Sequence, residues 1–213
     1  MAKVRVAGFS VSLDGYGAGP DQSLEHPLGL RGGELHNWFY PTRTFRSMLG
    51  KDGGSEGADD RFAQASMNGF GAFILGRNMF GPAGDGWGGP DWKGWWGDNP
   101  PYHAPTFILT HQERPSIVME GGTTFHFETN GIDAALSKAQ AEAGDLDVKI
   151  GGGVATIRQY LLAGAIDELH LAVTPIVLGR GENLFEGVNL PELGYRVKET
   201  VASELATHVV LTR

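Results

Sequence analysis

The chain contains no cysteine, and that absence alone excludes several kinds of protein chemistry. Disulfide scaffolds, thiolate zinc sites, iron–sulfur clusters and cysteine nucleophiles all need a thiol. The sequence also lacks an apolar run near the ~20 residues that cross a bilayer. It shows no basic and apolar N-terminal signal. We therefore expect a cytoplasmic protein that does not interact with membranes.

Positive charge is scarce, since 17 Lys and Arg stand against 25 Asp and Glu, for a net charge of −8. Nucleic-acid binding depends on clustered Lys and Arg, so no nucleic-acid partner is expected. The 7 histidines are scattered, and no pair shows ligand spacing with a third donor. No metal site is therefore predicted. His126 and His170 lie within strand patterns and are interpreted as structural.

Glycine is abundant, with 33 residues that concentrate in segments 50–57, 81–97 and 151–153. This distribution indicates long shaped loops on a regular scaffold. The 213 residues are enough for one large domain with a substantial core. We see no internal repeat and no linker, so residues 1–213 are predicted to form a single domain.

Hydrophobic patterning predicts alternating strands and helices. The predicted strands are 3–12, 72–76, 105–112, 116–120, 124–128, 147–150, 166–179 and 207–213. The predicted helices are 41–49, 59–67, 131–144 and 154–164, with Asp59 as the cap of the second. This alternation is typical of an α/β domain with a mostly parallel central sheet. The last two strands lack an intervening helix, which favours an antiparallel C-terminal edge.

Three consecutive glycines, Gly151 to Gly153, separate a short apolar strand from an amphipathic helix in "DVKIGGGVATIRQYLLAG". In an α/β sheet, ligands bind beyond the carboxyl ends of strands. A helix N-terminus at that place attracts anions through its unpaired N–H groups. The pattern therefore predicts either a phosphate site or a tight turn. A Rossmann fingerprint is absent, because Thr156 stands where its third glycine belongs.

Two further strand ends carry hydrogen-bond donors. "FILGR" ends in Gly76 and Arg77, and an Arg there can pair with a phosphate in a bidentate manner. "FILTHQ" presents Thr110 and His111. Three such strand ends suit an extended nucleotide, although each by itself is equally an ordinary turn.

Five segments occur in an order and at spacings that resemble the dihydrofolate reductase-like superfamily. They are "SLDGYGAGPD", "AFILGRNMF", "TFILTHQ", "KIGGGVATIRQYL" and "DELHLAVTPIVLGRGENLF". The nearest branch is the C-terminal reductase domain of the bifunctional riboflavin-biosynthesis deaminase–reductase, with its stand-alone bacterial relatives. The resemblance spans roughly residues 3–186 and implies a three-layer α/β fold. It also implies an NADPH-dependent oxidoreductase that acts on a small heterocycle.

The resemblance assigns a cofactor role to each of these segments. It places the pyrophosphate and nicotinamide half of NADPH at Gly151, Gly152, Gly153, Val154, Ala155 and Thr156. It places a further phosphate contact at Gly76, Arg77 and Asn78, and the adenosine ribose at Thr110 and His111. It brings the first loop, Ser12 to Gly17 and in particular Ser12, Gly15 and Tyr16, toward the nicotinamide. His111 carries less positive charge than the basic residue that relatives often have there, which leaves the preference for NADPH over NADH open.

The substrate side is less defined by the sequence. By its spacing before Gly76, Asp60 corresponds to the carboxylate that holds the pterin ring in dihydrofolate reductases, and it is our candidate catalytic residue. The alternative is that Asp59 and Asp60 only cap a surface helix. Asp14 either faces the site or belongs to an Asp-Gly turn.

The riboflavin-pathway substrate carries a ribose phosphate, so its site is expected to offer Arg or Lys. The segment 25–57 does not resemble either dihydrofolate reductase or the riboflavin-pathway reductase. Its candidate phosphate contacts are Arg31, Arg43, Arg46 and Lys51. A second departure is the loop 81–105 with its four Trp residues. That loop is interpreted either as an aromatic lid over a flat substrate or as a set of packing anchors or a dimer contact.

The function predicted from the resemblance is hydride transfer from NADPH to a small heterocyclic substrate. It is most like the 5-amino-6-(5-phosphoribosylamino)uracil reductase of riboflavin biosynthesis. Two alternatives stay open: another reductase on this fold, acting on folate or using another cofactor such as a deazaflavin, and a non-catalytic nucleotide-binding module. The relatives imply a homodimer, for which the strand at 166–179 is a candidate contact.

Overall fold

A computed structural model describes residues 2–84 and 86–213. Met1, and Asp85 in the predicted loop 81–105, lie outside the described residues. Eleven strands are present in the described part of the chain. They are β1 Val4–Ser12, β2 Tyr16–Ala18, β3 Phe70–Gly76, β4 Pro105–Leu109, β5 Ile117–Val118, β6 Thr124–Glu128, β7 Asp147–Gly152, β8 Glu168–Thr174, β9 Glu182–Asn183, β10 Arg196–Ala202 and β11 Thr207–Thr212.

Five α-helices accompany these strands within the same described residues. They are α1 Arg43–Met48, α2 Ala58–Ala65, α3 Arg77–Phe80, α4 Gly131–Ala143 and α5 Val154–Leu162. Two short 3₁₀ helices lie at Gly32–His36 and Glu120–Gly122.

Most strands join one sheet in the order β10-β11-β8-β1-β7-β3-β4-β6-β5. The centre is parallel, from β8 through β1, β7, β3 and β4 to β6. Strands β10 and β11 form an antiparallel edge on one side, and β5 pairs antiparallel with β6 on the other. The predicted mostly parallel sheet with an antiparallel C-terminal edge is confirmed.

Side-chain alternation divides the core between the two faces of the sheet. On β3, Ala72 and Ile74 pack in one cluster with the apolar faces of α4 and α5, including Ala139 and Ile157. The next residues along β3 face the other way and belong to separate clusters. The position of a residue along its strand therefore determines which face of the sheet its side chain lies on. On β7 the same rule sends Val148 to the α4 and α5 face.

Some predicted boundaries are wrong, each for a local reason. Helix α2 begins after Gly57, so Asp59 lies in its first turn and is not its cap. Strand β8 ends at Thr174, because Pro175 lacks the N–H that a central strand must donate. Strand β10 was not predicted, since its residues are mostly exposed and lack an apolar repeat.

The strand expected to serve a dimer contact lies inside the sheet. Strand β8 is hydrogen-bonded to β1 on one side and to β11 on the other. It therefore offers no free backbone edge to a second copy, and a dimer contact by residues 166–179 stays a prediction.

Candidate active site

A cavity of about 950 Å³ opens where the parallel strands end. Its lining comes from the ends of β3, β4, β6 and β7, from the starts of α3, α4 and α5, and from residues 17–48. The middle of β1 and parts of the segments 66–67 and 95–102 also contribute. The strand ends form the carboxyl edge of the sheet, where ligands of open α/β folds bind. The volume lies near the upper end of the range for small-molecule sites.

The three glycines at the end of β7 and the start of α5 serve three different purposes. A side chain at Gly151 would begin 2.5 Å from Leu75 Cδ2, so packing against β3 excludes one. Gly152 has a φ of +123°, which side chains rarely tolerate, and the peptide bond between Gly152 and Gly153 is cis. Gly153 has an ordinary φ of −71°, and a Cβ there would meet nothing within 4 Å. Only Gly153 therefore keeps space open for a ligand.

Helix α5 presents an uncapped N-terminus to the cavity. Gly153 is its N-cap residue and supplies no side-chain acceptor. Val154, Ala155 and Thr156 of the first turn line the cavity with Gly153. The N–H groups of such a turn and the helix dipole favour an anion. Of the residues predicted for this turn, Gly152 does not line the cavity and the others do; their contact with a cofactor stays a prediction.

The end of β3 lies directly beside this turn. A Cβ at Gly76 would lie 2.4 Å from Thr156 Oγ1 and 3.4 Å from Gly153 N. Arg77 and Asn78 follow it into α3 and also line the cavity. The Arg77 guanidinium stacks 5.0 Å from the Trp87 ring centroid and donates to the Pro82 carbonyl, so the Trp-rich loop holds it in place.

At the ends of β4 and β6 the cavity contains Thr110, His111 and Glu128. Thr110 N donates to the backbone oxygen of Glu128 at 3.1 Å, which joins the two strand ends. The Glu128 carboxylate accepts from Lys138 Nζ at 2.5 Å and from the N–H groups of Asn130. Burial alone would raise the pKa of Glu128, but these donors hold it below its usual value. The sequence prediction missed this buried anion at the strand end.

The first loop approaches the cavity later than predicted. Gly17 lines it, whereas Ser12, Gly15 and Tyr16 do not. Ser12 Oγ instead donates to Asp14 Oδ1 at 2.6 Å and accepts from Tyr16 N at 3.0 Å.

Asp14 ties the first loop to the segment after β8. Its carboxylate accepts from Leu178 N at 3.1 Å and from Gly179 N at 2.7 Å. Burial would raise the pKa of Asp14, yet the hydrogen bonds from Ser12, Gly179 and Leu178 lower it. Asp14 therefore organises a turn, which was one of the two interpretations of this residue.

Asp60, the candidate catalytic residue, does not line the cavity. Its Oδ1 accepts from Thr44 N at 2.7 Å and from Thr44 Oγ1 at 2.8 Å, which joins α2 to the first turn of α1. Asp59 accepts from His208 Nε2 at 2.8 Å. Both carboxylates thus contact protein groups away from the cavity.

None of the four basic residues expected at a substrate phosphate lines the cavity. Arg31 pairs with Glu34, Arg43 pairs with Glu56, and Arg46 donates to the Asp52 carbonyl. Lys51 is exposed in the loop that follows α1. In the described part of the chain, the Lys and Arg residues that line the cavity are Arg77 and Lys149.

The lining contributed by residues 27–48 is mostly apolar, and we call it the outer lobe. It consists of Pro27, Leu28, His36, Phe39, Tyr40, Phe45 and Met48. Phe45 contacts both Phe39 and Tyr40, with ring centroids 5.0 and 5.3 Å apart. These contacts hold several ring faces at the cavity wall.

The Trp-rich loop divides between the two predicted roles. Trp87 packs edge-on against Phe127, and Trp92 donates its indole N–H to the Phe80 carbonyl at 2.8 Å. Trp95 and Trp96 line the cavity. Trp95 also donates to the Asn78 carbonyl at 3.3 Å and packs edge-on against Trp92, so it both anchors the loop and lines the cavity.

Besides Glu128, two further titratable cavity residues, Lys149 and His36, were not predicted from the sequence. Lys149 stands in a strand pattern whose neighbours face the core, and His36 ends the short 3₁₀ helix Gly32–His36. Burial lowers the pKa of His36 to about 4, although a backbone hydrogen bond with Gly32 opposes the shift. The alternation of β7 was the available signal for Lys149, because Val148 and Ile150 face α4 and α5 and Lys149 must face the other way.

Other kinds of site are absent from the described residues. No group of His, Asp or Glu in residues 2–84 and 86–213 is arranged to hold a metal ion. No helix in those ranges has both the length and the apolar character that a membrane crossing requires.

Several solved structures have a similar fold. A protein from Shewanella sp. PV-4 described as a riboflavin biosynthesis protein superposes with a TM-score of 0.57 at 20% identity, covering 100% of this chain and 99% of that one. The Thermotoga maritima diaminohydroxyphosphoribosylaminopyrimidine deaminase/5-amino-6-(5-phosphoribosylamino)uracil reductase gives 0.54 at 13% identity, covering 99% of this chain and 56% of that one. A dihydrofolate reductase from Enterococcus faecalis gives 0.42 at 18% identity, covering 67% and 73%. No curated protein matches the chain.

The sheet order, the glycine turn and the cleft at the strand ends together define an α/β domain with a ligand cleft at the carboxyl edge of a mostly parallel sheet. A family model narrows this class, since the RibD C-terminal domain matches residues 3–211. The chain belongs to the RibD C-terminal domain family. These findings support a reductase of the RibD type and confirm the predicted family and fold.

Proposed function

We propose that this protein is an NADPH-dependent reductase of a small heterocyclic substrate. The observation that carries the proposal is the uncapped start of α5 at the cavity, with Gly153 leaving its donors accessible. Family membership supplies the reaction class, and the cavity supplies space for a dinucleotide beside a ring. The expected turnover moves a hydride, which carries two electrons, from the nicotinamide to an electron-poor carbon of the substrate.

The residues present fit a nicotinamide nucleotide. The first turn of α5 offers backbone N–H groups to the pyrophosphate, and glycine at position 153 removes the side chain that would cover them. Arg77 and Asn78 lie on the neighbouring strand end, where a phosphate oxygen can accept from them. Thr110 and His111 lie one strand further along, at the place proposed for the adenosine ribose.

This chain's own groups orient the reactants and exclude water. Gly17 lies against both Phe9 and Val154, since a Cβ there would come within 2.7 Å of each. The first loop therefore packs closely over the start of α5. Trp95 and Trp96 line the cavity from the opposite loop. A site closed in this way strengthens the electrostatic contacts made inside it.

NADPH is proposed over NADH on the family resemblance. Glu128 lies at the same strand ends as His111, and an acidic group there suits a ribose hydroxyl better than a 2′-phosphate. Lys138, which contacts the Glu128 carboxylate, partly offsets that charge. The preference between the two nucleotides is therefore expected to be modest.

The test is a calorimetric titration of the purified protein with NADPH and, separately, NADH. The proposal expects NADPH to bind with a micromolar dissociation constant and to be oxidised when a suitable pyrimidine or pterin is added. An absence of binding by either nucleotide would contradict it. Binding without oxidation across a broad panel of pyrimidines and pterins would favour the alternative of a non-catalytic binding module.

A further inference from the structure

Lys149 is a cavity cation that the cofactor contacts proposed above do not use. On β7 it lies in register with Arg5 of β1 and with Phe73 of β3, on the sheet face opposite α4 and α5. Its half-buried side chain reaches the cavity beside Ser66 and Met67. The ammonium contacts the carbonyl of Ser66, a residue that also lines the cavity.

The ammonium of Lys149 has few protein partners. Nζ donates to the Ser66 carbonyl at 2.5 Å and lies 5.7 Å from the centroid of the Phe70 ring. Within residues 2–84 and 86–213, no carboxylate lies at ion-pair distance from it. The nearby anions are taken by Arg5, which pairs with Asp147 at 3.0 Å and Glu168 at 3.2 Å. Since an ammonium has three donors, two remain for a ligand.

Withdrawing this charge from water is unfavourable for the protein alone. Burial, together with the positive charge of Arg5, lowers the pKa of Lys149 to about 7. A charge without a protein counter-ion at such a position destabilises the fold. Strongly perturbed groups in a cleft are typical of functional sites, and here the missing partner is a ligand group.

The rest of the substrate side does not suit a phosphate. The outer lobe contains no Lys or Arg, and its ring faces suit an apolar, planar molecule. A phosphate monoester carries a charge of about −1.5 to −2 at pH 7 and needs several strong donors. Arg77 lies on the cofactor side of the cavity and is held by Trp87 and Pro82. A lone ammonium instead matches one electron-rich oxygen.

We propose that the substrate is a planar, unphosphorylated heterocycle that packs against the outer lobe and accepts a hydrogen bond from Lys149 through a ring carbonyl or enolate oxygen. This inference rests on the proposed reductase function and narrows its substrate. It separates this chain from reductases whose substrate carries a phosphoribosyl group. His36 also lines the outer lobe and adds a polar side chain to a wall that is otherwise mostly apolar.

The test compares three probes by calorimetry, each with and without saturating NADP⁺. The probes are lumazine, 5-amino-6-(5-phosphoribosylamino)uracil and the dephosphorylated form of that uracil. Lumazine is expected to bind, and removal of the phosphate is expected to change the affinity by less than about threefold, because the outer lobe offers the phosphate no Lys or Arg. Binding of the phosphorylated probe more than about tenfold tighter than its dephosphorylated form would overturn the proposal.

Lys149→Met tests the anchor, with Lys51→Met as the matched control at an exposed lysine away from the cavity. Lys149→Met is expected to weaken the binding of lumazine by about tenfold or more, because a charged hydrogen bond is lost. Its melting temperature and NADPH affinity should match or exceed those of the wild type. Lys149→Gln, which keeps a polar end, provides a second folded variant.

The outcomes separate the two proposals. Wild-type affinity for lumazine in Lys149→Met would overturn the role of Lys149, as would unfolding of both Lys149 variants. Failure of lumazine to bind while NADPH binds would overturn the substrate class and leave the reductase proposal standing. If lumazine binds but neither NADPH nor NADP⁺ does, the reductase proposal is overturned and the ligand class proposed for the cavity is kept.

Discussion

The roles of Asp60 and Gly153 are set by the residues around them in the structure, and their positions in the sequence alone did not reveal those roles. The spacing of Asp60 before Gly76 matched a catalytic carboxylate, yet its oxygen accepts two hydrogen bonds from Thr44. Gly153 looked like one glycine of three, yet it alone combines an ordinary φ with open space beside it. Sequence spacing finds candidate positions, and hydrogen-bond partners decide what those positions do.

Asp60→Ala is expected to lower the free energy of unfolding by about 1 kcal/mol, because Thr44 N and Oγ1 lose their acceptor. The dissociation constant for NADPH should not change. Urea unfolding and calorimetry measure the two quantities. Asp52→Ala, in the exposed loop between the same helices, is the control and should be neutral. If Asp60→Ala loses turnover but keeps the stability of the wild type, Asp60 has a catalytic role and the structural interpretation is contradicted.

At the scale of elements, β3 and α5 meet closely enough that each constrains the other. Gly76→Ala would place a methyl group 2.4 Å from Thr156 Oγ1. The variant is expected to lose about 1–3 kcal/mol of stability through overpacking. Adding Thr156→Ala should recover most of the loss, which a double-mutant cycle in urea measures. Additive losses in the double variant would show that the contact does not cause the effect.

A buried chain of hydrogen bonds joins β1, β8, β11 and α2. The N–H of Gly8 donates to His170 Nδ1 at 3.0 Å, so His170 carries its proton on Nε2. That proton points at His208 Nδ1, 3.1 Å away, which leaves His208 Nε2 to donate to Asp59 Oδ1 at 2.8 Å. Each neutral histidine therefore has one tautomer that satisfies all its partners. Phe62 stacks on both rings, which keeps them out of water.

The elements themselves were largely predictable, and their arrangement was only partly so. Strands with strong apolar patterns, such as β3 and β6, and the helix α4 follow from local periodicity. The exposed strand β10 has no such pattern, and its pairing with β11 is a contact between distant residues. The glycine turn could be located because backbone chemistry is local. Lys149 was missed because its importance depends on which face of β7 meets the cavity.

At the scale of the whole molecule, stability is expected to fall as the pH drops below about 6.5. Burial lowers the pKa of His170 to about 3 and that of His36 to about 4, and it also lowers that of His208. In the unfolded chain these groups take up protons near pH 6.5. Acid therefore favours unfolding between that pH and the lower pKa that each histidine has in the folded protein.

Each of these histidines contributes a slope of at most about 1.4 kcal/mol per pH unit. Urea unfolding between pH 7.5 and pH 5 measures the slope, above the range where most carboxylates titrate (roughly pH 4). His170→Gln should make the dependence shallower, whatever its effect at pH 7.5. A stability that stays flat across the interval in the wild type would contradict the burial of neutral histidines.

The assembly of the molecule stays a proposal. We propose a homodimer on the family resemblance, with a contact surface other than β8, since that strand is paired on both sides. Sedimentation velocity at micromolar concentration is expected to give a mass near twice 22.8 kDa. A mass of 22.8 kDa at all concentrations would contradict the dimer.

The central claim is that a nucleotide phosphate lies at the start of α5, and one pair of variants tests it most directly. Gly153→Asn and Gly153→Asp introduce side chains of equal size at an unstrained N-cap position, where both residues are favoured. Calorimetric titration with NADPH is expected to show Gly153→Asp binding about tenfold or more weakly than Gly153→Asn, because only the carboxylate repels the pyrophosphate. Equal affinities in the two variants, both matching the wild type, would contradict the account.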